Sequence, residues 1–267
     1  MREETTGARN PPLLELNHVT VVRGDHPALD DVSLKIRAGE HVAILGPNGC
    51  GKSTLIKTIT RECYPLAHAG SSMAILGRER WNVFDLRNLL GIVTPDLLAQ
   101  CSTDATGRDV VLSGFFSSTR IFPHQHAELE WTRRAETVME QLGIAHLAGR
   151  AVAEMSSGEA KRTLIARALV HEPRALLFDE PSNALDIAAQ FQLRDTMREL
   201  ARSGLAILLV THHVAEILPE MERVVLLRAG KILADGAKHE VLTAGNLTCL
   251  FGVTVRLSKS DGWYQAW

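Results

Sequence analysis

Gly46-Pro47-Asn48-Gly49-Cys50-Gly51-Lys52-Ser53 is the stretch on which the fold turns. It fills the pattern G-x-x-x-x-G-K-[ST], whose glycines let the backbone curl so that successive N–H groups converge on phosphate oxygens. Lys52 supplies a point charge for the β- and γ-phosphates of a nucleotide, and Ser53 a hydroxyl for Mg²⁺. The flanks complete the reading. His41-Val42-Ala43-Ile44-Leu45 is a short apolar run of the kind that forms a buried strand. Thr54 to Ile59 reads as a helix whose N-terminal dipole adds to the anion site. Without that strand and helix the same letters would be a glycine-rich turn. Cys50, inside the loop, is read as a small buried filler rather than a redox site.

Composition sets broad limits. The chain has 267 residues, 45% of them apolar, which is enough for one large domain or two small ones. Its net charge of −2 gives no electrostatic reason to expect nucleic acid as the main partner. Cys50, Cys63, Cys101 and Cys249 are scattered, with no Cys-x-x-Cys spacing, so a reducing compartment is expected. Met1 to Asn10 is polar, lacks an apolar signal core and is expected to be a flexible tail, with Pro11 as its last residue. No apolar stretch approaches the ~20 residues that span a bilayer, so any membrane role is expected to come through a partner.

Around the loop the chain changes character twice. Leu14-Glu15-Leu16, Val19 to Val22 and Val32 to Ile36 are short β-type runs, punctuated by Gly24-Asp25-His26-Pro27 and Arg37-Ala38-Gly39-Glu40. They predict an antiparallel sheet ahead of the phosphate loop. Asp96 to about Arg150 is helically patterned and reads as an insertion. Alternation then resumes. Ser157 to Val170 and Ala188 to Arg202 read as helices, Ala175 to Phe178 and Ala206 to Val210 as buried strands. That order implies an α/β fold with a parallel sheet. Val224 to Leu227 and Ile232 to Ala234 read as a hairpin, and two further short strands are expected around Asp261-Gly262.

Leu176-Leu177-Phe178-Asp179-Glu180-Pro181 is an apolar strand that ends in two carboxylates. Beside a phosphate loop the first acid belongs on Mg²⁺, directly or through water, and the second is the candidate base for the attacking water. Met155-Ser156-Ser157-Gly158-Glu159 precedes a helix, and a hydroxyl with a glycine at a helix start makes an anion site. By itself the same segment is an N-cap in which Ser156 bonds the Glu159 N–H.

Here the chain resembles the ATP-binding-cassette (ABC) ATPases, whose signature is Leu-Ser-Gly-Gly-Gln. Ser156 and Gly158 match it. Met155, Ser157 and Glu159 stand for Leu, Gly and Gln. Asn183-Ala184-Leu185-Asp186 is similar to the family's D-loop, and Thr211-His212 to its switch histidine, with His213 read as bland. Two places depart. The family's adenine-stacking aromatic falls near Val22 or Arg23, neither aromatic, so Arg23 is the candidate to stack through its guanidinium plane. The family's glutamine after a Gly-x-Val-x-Gln strand falls on Gly91-Ile92-Val93-Thr94-Pro95-Asp96, which makes Asp96 a candidate for Mg²⁺ or its water and leaves Gln100 close behind. Pro123-His124-Gln125-His126 lacks a ligand pattern and reads as a solvated loop. Phe115-Phe116 is either core or a partner-docking surface.

The resemblance implies a P-loop core with a mixed sheet, an N-terminal antiparallel β-subdomain and a helical subdomain over about residues 97–160. The cassette would run over 12–250, with a C-terminal β extension over 251–267. It implies ATP and Mg²⁺ as cofactors. ATP would be bound by residues 46–54, Thr54 included, and by Ser156, Ser157 and Gly158 of a second copy in a head-to-tail dimer. Glu180 and His212 would be catalytic, and Ser53 and Asp179 would hold the metal. Gly77 to Trp81 and Leu112 to Phe116 suggest the branch of molybdate transport and photorepair. The expected function is an ATPase subunit of a membrane transporter with separate permease subunits, peripheral on the inner face of the membrane. The alternative is a non-transport ABC ATPase acting on nucleic acid or ribosomes. A nucleotide sensor without turnover is disfavoured by Glu180.

Overall fold

A computed structural model describes residues 11–101, 103–119, 121 and 127–267. The expected tail at Met1 to Asn10 and the His124–His126 pair lie outside them.

The chain opens with β1 (Leu14–Arg23) and β2 (His26–Ile36), then β3 (Val42–Leu45), α1 (Lys52–Ile59), β4 (Ser72–Ile75), α2 (Val83–Leu89) and β5 (Leu90–Val93). The helical insertion follows as α3 (Pro95–Gln100), α4 (Gly107–Ser113) and α5 (Leu129–Gln141). Then come α6 (Ser157–Leu169), β6 (Ala175–Asp179), α7 (Ile187–Arg202), β7 (Ala206–Thr211), β8 (Arg223–Arg228) and β9 (Lys231–Ala237). The chain closes with α8 (Lys238–Val241), α9 (Ala244–Phe251), β10 (Leu257–Ser260) and β11 (Trp263–Ala266).

The six-stranded sheet runs β5-β6-β7-β3-β8-β9. All its pairings are parallel except the β8–β9 hairpin. Its central strands are apolar up to their last residues, Asp179 in β6 and Thr211 in β7, because both faces are covered. Side chains alternate between two cores. Ala43, Leu45, Leu176, Phe178, Ile207 and Leu209 face one, which α6 and α7 fill with Leu164, Ile165, Leu193 and Met197. Val42, Ile44, Leu177, Leu208 and Val210 face the other, filled by Leu55, Ile56 and Ile59 of α1 and by the N-terminal sheet. A third core belongs to the insertion: Val111, Leu112, Val138, Met139 and Leu147 with Ala166 and Val170 of α6.

The antiparallel N-terminal sheet is present, in the order β2-β1-β4. Its tight turn is shorter than the sequence suggests. Only Gly24-Asp25 turns, while His26 and Pro27 already pair with Arg23 and Val22. Pro27 is tolerated because β2 is an edge strand with an irregular register there. The predicted C-terminal hairpin forms as β10–β11. Phe115 and Phe116 are half-buried on the insertion: Phe115 packs against its core and stacks on Trp131 at 4.9 Å, and Phe116 meets Trp131 edge-on at 5.3 Å. No helix among the described residues is long and apolar enough to cross a membrane.

The seam between α6 and β5 is tight. A Cβ on Gly91 of β5 would lie 2.4 Å from Leu176 Cδ2 and 2.7 Å from the Ala168 carbonyl. Gly91→Ala is therefore expected to lower stability by about 1–3 kcal/mol through overpacking. Urea unfolding checks this, and an unchanged midpoint would refute the close approach of α6 to β5.

Candidate functional site

The parallel register places three strand ends side by side. Leu45 pairs with Thr211, and Asp179 with Val210. The residues that follow (Gly46, Glu180 and His212) therefore emerge at one edge of the sheet, where ligands of open α/β sheets bind.

The phosphate loop is fastened from several sides. Gly46 N–H donates to the Thr211 carbonyl at 3.2 Å, and the Cys50 carbonyl accepts from Gly230 N–H at 2.9 Å. Gly51, at φ 111°, starts α1, and a Cβ there would lie 2.4 Å from the Ala28 carbonyl. Only glycine meets both demands. The Cys50 thiol is buried, and burial raises its pKa against the pull of Lys52. A thiol held protonated is a filler, as its sequence setting suggests.

Lys52 is 5% exposed. Its Nζ donates to the carbonyls of Gly46 (2.8 Å) and Pro47 (3.0 Å) and lies 3.3 Å from Glu180 Oε1. The same Glu180 oxygen is 3.1 Å from His212 Nδ1, which makes no hydrogen bond among the described residues. Asn183 Nδ2 donates to the other Glu180 oxygen at 2.6 Å. Burial works to raise the Glu180 pKa, but the Asn183 amide, Lys52 and His212 outweigh it and hold it below the usual carboxylate range. Glu180 has φ 44°, in the left-handed region. That backbone costs roughly 1–2 kcal/mol, and Glu180 N–H is tied to the Val210 carbonyl at 2.8 Å. His213 lies against the His212 ring at 3.8 Å.

Asp179 behaves differently from its neighbour. Burial, then the Glu180 charge, pushes its pKa up to about 6, with Asp96 adding to the rise and Lys52 opposing it. Ser53, Asp96, Gln100, Asp179 and Glu180 line one cleft of about 520 Å³ between α1 and the insertion. Asp96 sits in the first turn of α3, which Pro95 begins. Among the described residues no cluster of three or more His, Cys, Asp or Glu side chains could cage a metal. A hydroxyl and a carboxylate, with the remaining positions left to phosphates and water, is the donor set Mg²⁺ accepts.

Ser156 and Glu159 form the expected cap in full. Glu159 N–H donates to Ser156 Oγ at 3.3 Å, and Ser156 N–H to Glu159 Oε2 at 2.8 Å. Ser156 and Ser157 are exposed, and residues 155–159 line no part of the Ser53–Glu180 cleft. Arg23 is exposed at the β1–β2 turn. Sequence reasoning missed the role of Asn183 on Glu180 and a buried acid, Glu216, behind the site. A lone acid among Val214, Ile217 and Leu218 was the available signal.

A raised Asp179 pKa means the folded state binds that proton more tightly than the unfolded one. The carboxylate therefore costs stability above pH 6, and the cost fades as pH falls from 6 towards 3.8. Asp179→Asn, free of nucleotide and metal, is expected to melt roughly 2–4 °C higher at pH 7.5 and to lose that gain by about pH 4. Thermal melts across that pH range check it, and a gain independent of pH would contradict it.

The ABC transporter family profile matches residues 29–183. The hemin import ATP-binding protein HmuV of Bradyrhizobium diazoefficiens is 30% identical, over 94% of this chain and 92% of that protein. The ferric enterobactin transport ATP-binding protein FepC of Escherichia coli is 32% identical, over 88% and 85%. The fold is similar to that of a putative metal-chelate type ABC transporter in an inward-facing conformation (TM-score 0.76, 22% identity, 96% of each chain). These relatives lend no support to a place in the molybdate-transport and photorepair branch. The chain belongs to the ABC transporter family, as an ATP-binding and ATP-hydrolysing subunit.

Proposed function

We propose that this subunit powers import by closing on ATP as a head-to-tail dimer beneath a membrane permease. The observation that carries the reading is the convergence of Lys52 and His212 on one oxygen of Glu180 at the edge of the sheet. Lys52, now held by two carbonyls, is the cation for the β- and γ-phosphates, with the N–H groups of residues 46–54 around them. Ser53 and Asp179 would hold Mg²⁺, with Asp96 across the cleft within reach of its water; the bound ion supplies charge neutralisation at the phosphates. Glu180, ionised and fixed by Asn183, orients the attacking water and takes its proton. His212, beside Glu180, would contact the γ-phosphate.

The dimer follows from what the cleft lacks. Ser156, Ser157 and Gly158 present a capped helix start to solvent, away from the residues that line the cleft. A second copy in the opposite sense supplies that anion site to each phosphate loop. ATP then favours the closed state by differential affinity, and hydrolysis releases it. Arg23, at the exposed β1–β2 turn, is the group left to stack on adenine. Import is inferred from the relatives named for hemin import, so hemin and ferric siderophores are the first cargoes to test with the permease.

Glu180→Gln is expected to bind ATP, form a stable dimer and lose turnover by about 10²-fold or more. Light scattering with and without ATP, beside a phosphate-release assay, checks both parts. Unchanged hydrolysis would remove Glu180 from the role of base. A variant that stays monomeric with ATP would remove the dimer.

A further inference from the structure

Behind Glu180 lies a buried polar junction. Glu216 follows His212 by four residues, in the 3-10 turn Val214–Glu216, and is 5% exposed. Its Oε1 accepts a hydrogen bond from Ser182 Oγ, and Ser182 lies two residues past Glu180 in the same loop. Its Oε2 makes no hydrogen bond of good geometry among the described residues, with the Thr211 hydroxyl the polar group beside the carboxyl. Burial pushes Glu216 up to about 7. The Thr211 hydroxyl opposes the rise, the Glu180 charge adds to it, and Arg194 of α7 and Lys161 of α6 oppose it. A half-satisfied carboxyl amid Val214, Ile217 and Leu218 costs stability. Packing alone would be served better by an apolar side chain.

The place of Glu216 suggests what that cost supports. The loop 180–186 carries two non-glycine residues in the left-handed region, Glu180 at 44° and Ala184 at 63°. Such a backbone persists only when its surroundings hold it. Its base is tied to β7 by the Glu180 N–H to Val210 bond. Ser182 to Glu216 is a second tie, and it reaches the segment that carries His212. On that side the Thr211 hydroxyl accepts from His213 N–H at 2.9 Å. The 3-10 turn is held from behind by Arg194 Nη1 on the Ala215 carbonyl at 3.3 Å. Arg194 in turn lies 5.4 Å under the Trp263 ring of the C-terminal hairpin.

We propose that Glu216 is a positioning residue of the ATPase site: through Ser182 it locks the 180–186 loop to the His212 segment and holds Glu180 toward Lys52 and His212. This rests on the reading that Glu180 acts on the attacking water. Glu216 touches none of the reacting groups. Its effect is on the aim of Glu180, where a displacement of about 1 Å costs up to 10²-fold in rate.

The test is steady-state ATP hydrolysis by the full chain carrying Ser182→Ala, Glu216→Ala, Glu216→Gln or the Ser182→Ala/Glu216→Ala pair. Ser182→Ala and Glu216→Ala are each expected to lower kcat about ten- to a hundredfold, with KM for ATP within about twofold. The pair is expected to be no worse than Glu216→Ala, because both remove one link. Glu216→Gln keeps an oxygen that accepts from Ser182 and is expected to recover most of kcat. Normal kcat in Ser182→Ala, a loss confined to KM, or losses that multiply in the pair would each overturn the proposal. Should Glu216→Ala fail to fold, Ser182→Ala and Glu216→Gln decide alone. Glu180→Gln is the control. If it is inactive while Ser182→Ala is normal, only the positioning role falls. If it turns over ATP normally, the reading of the site falls and this inference with it.

Discussion

The register of three parallel strands is the constraint on which the site depends. Backbone pairing of Leu45 with Thr211, and of Asp179 with Val210, fixes where β3, β7 and β6 end. A slip of one residue would turn every core side chain of a strand to the opposite face. The apolar side chains on both faces oppose that slip, because each strand feeds two cores. Lys52, Glu180 and His212 meet because this register sets the ends of β3, β6 and β7 side by side, and a slip would bring side chains shaped for one core into the other. Hydrophobic burial thus sets where the strand ends meet, and polar contacts such as Asn183 on Glu180 and Ser182 on Glu216 aim the side chains there.

The two adjacent acids show how environment divides like residues. Asp179 ends β6, largely buried, and burial raises its pKa. Glu180 is one residue further on, where the chain has turned out of the strand. Asn183, Lys52 and His212 surround it and keep it ionised. A group that is costly to ionise until a cation arrives suits a metal partner. A group already ionised and aimed suits a base.

The parts legible in the sequence share one property: they are local. The phosphate loop is fixed by glycines at set spacings. The central strands show as unbroken apolar runs, and the Ser156–Glu159 cap is a four-residue pattern that forms as read. β4 and α2 escaped notice because they are short and one-sided, with Leu86 the only buried residue of α2. Pro27 misled because proline usually breaks a strand, yet an edge strand asks for no N–H there. The Ser182–Glu216 contact joins residues 34 positions apart, and no periodicity in the chain announces it. Departures from the family pattern at Arg23 and Asp96 were visible, but what they do depends on ligands that approach from outside the chain.

The central claim is that the loop at Gly46–Ser53 is half of a site whose other half is a second copy. The structure of the Glu180→Gln chain with ATP and Mg²⁺ tests it most directly. The account predicts a two-fold dimer with two nucleotides, the phosphates on Lys52 and Ser53 of one copy and the γ-phosphate covered by Ser156 to Gly158 of the other. A nucleotide enclosed by a single chain, or a dimer in which residues 156–158 face solvent, would contradict it.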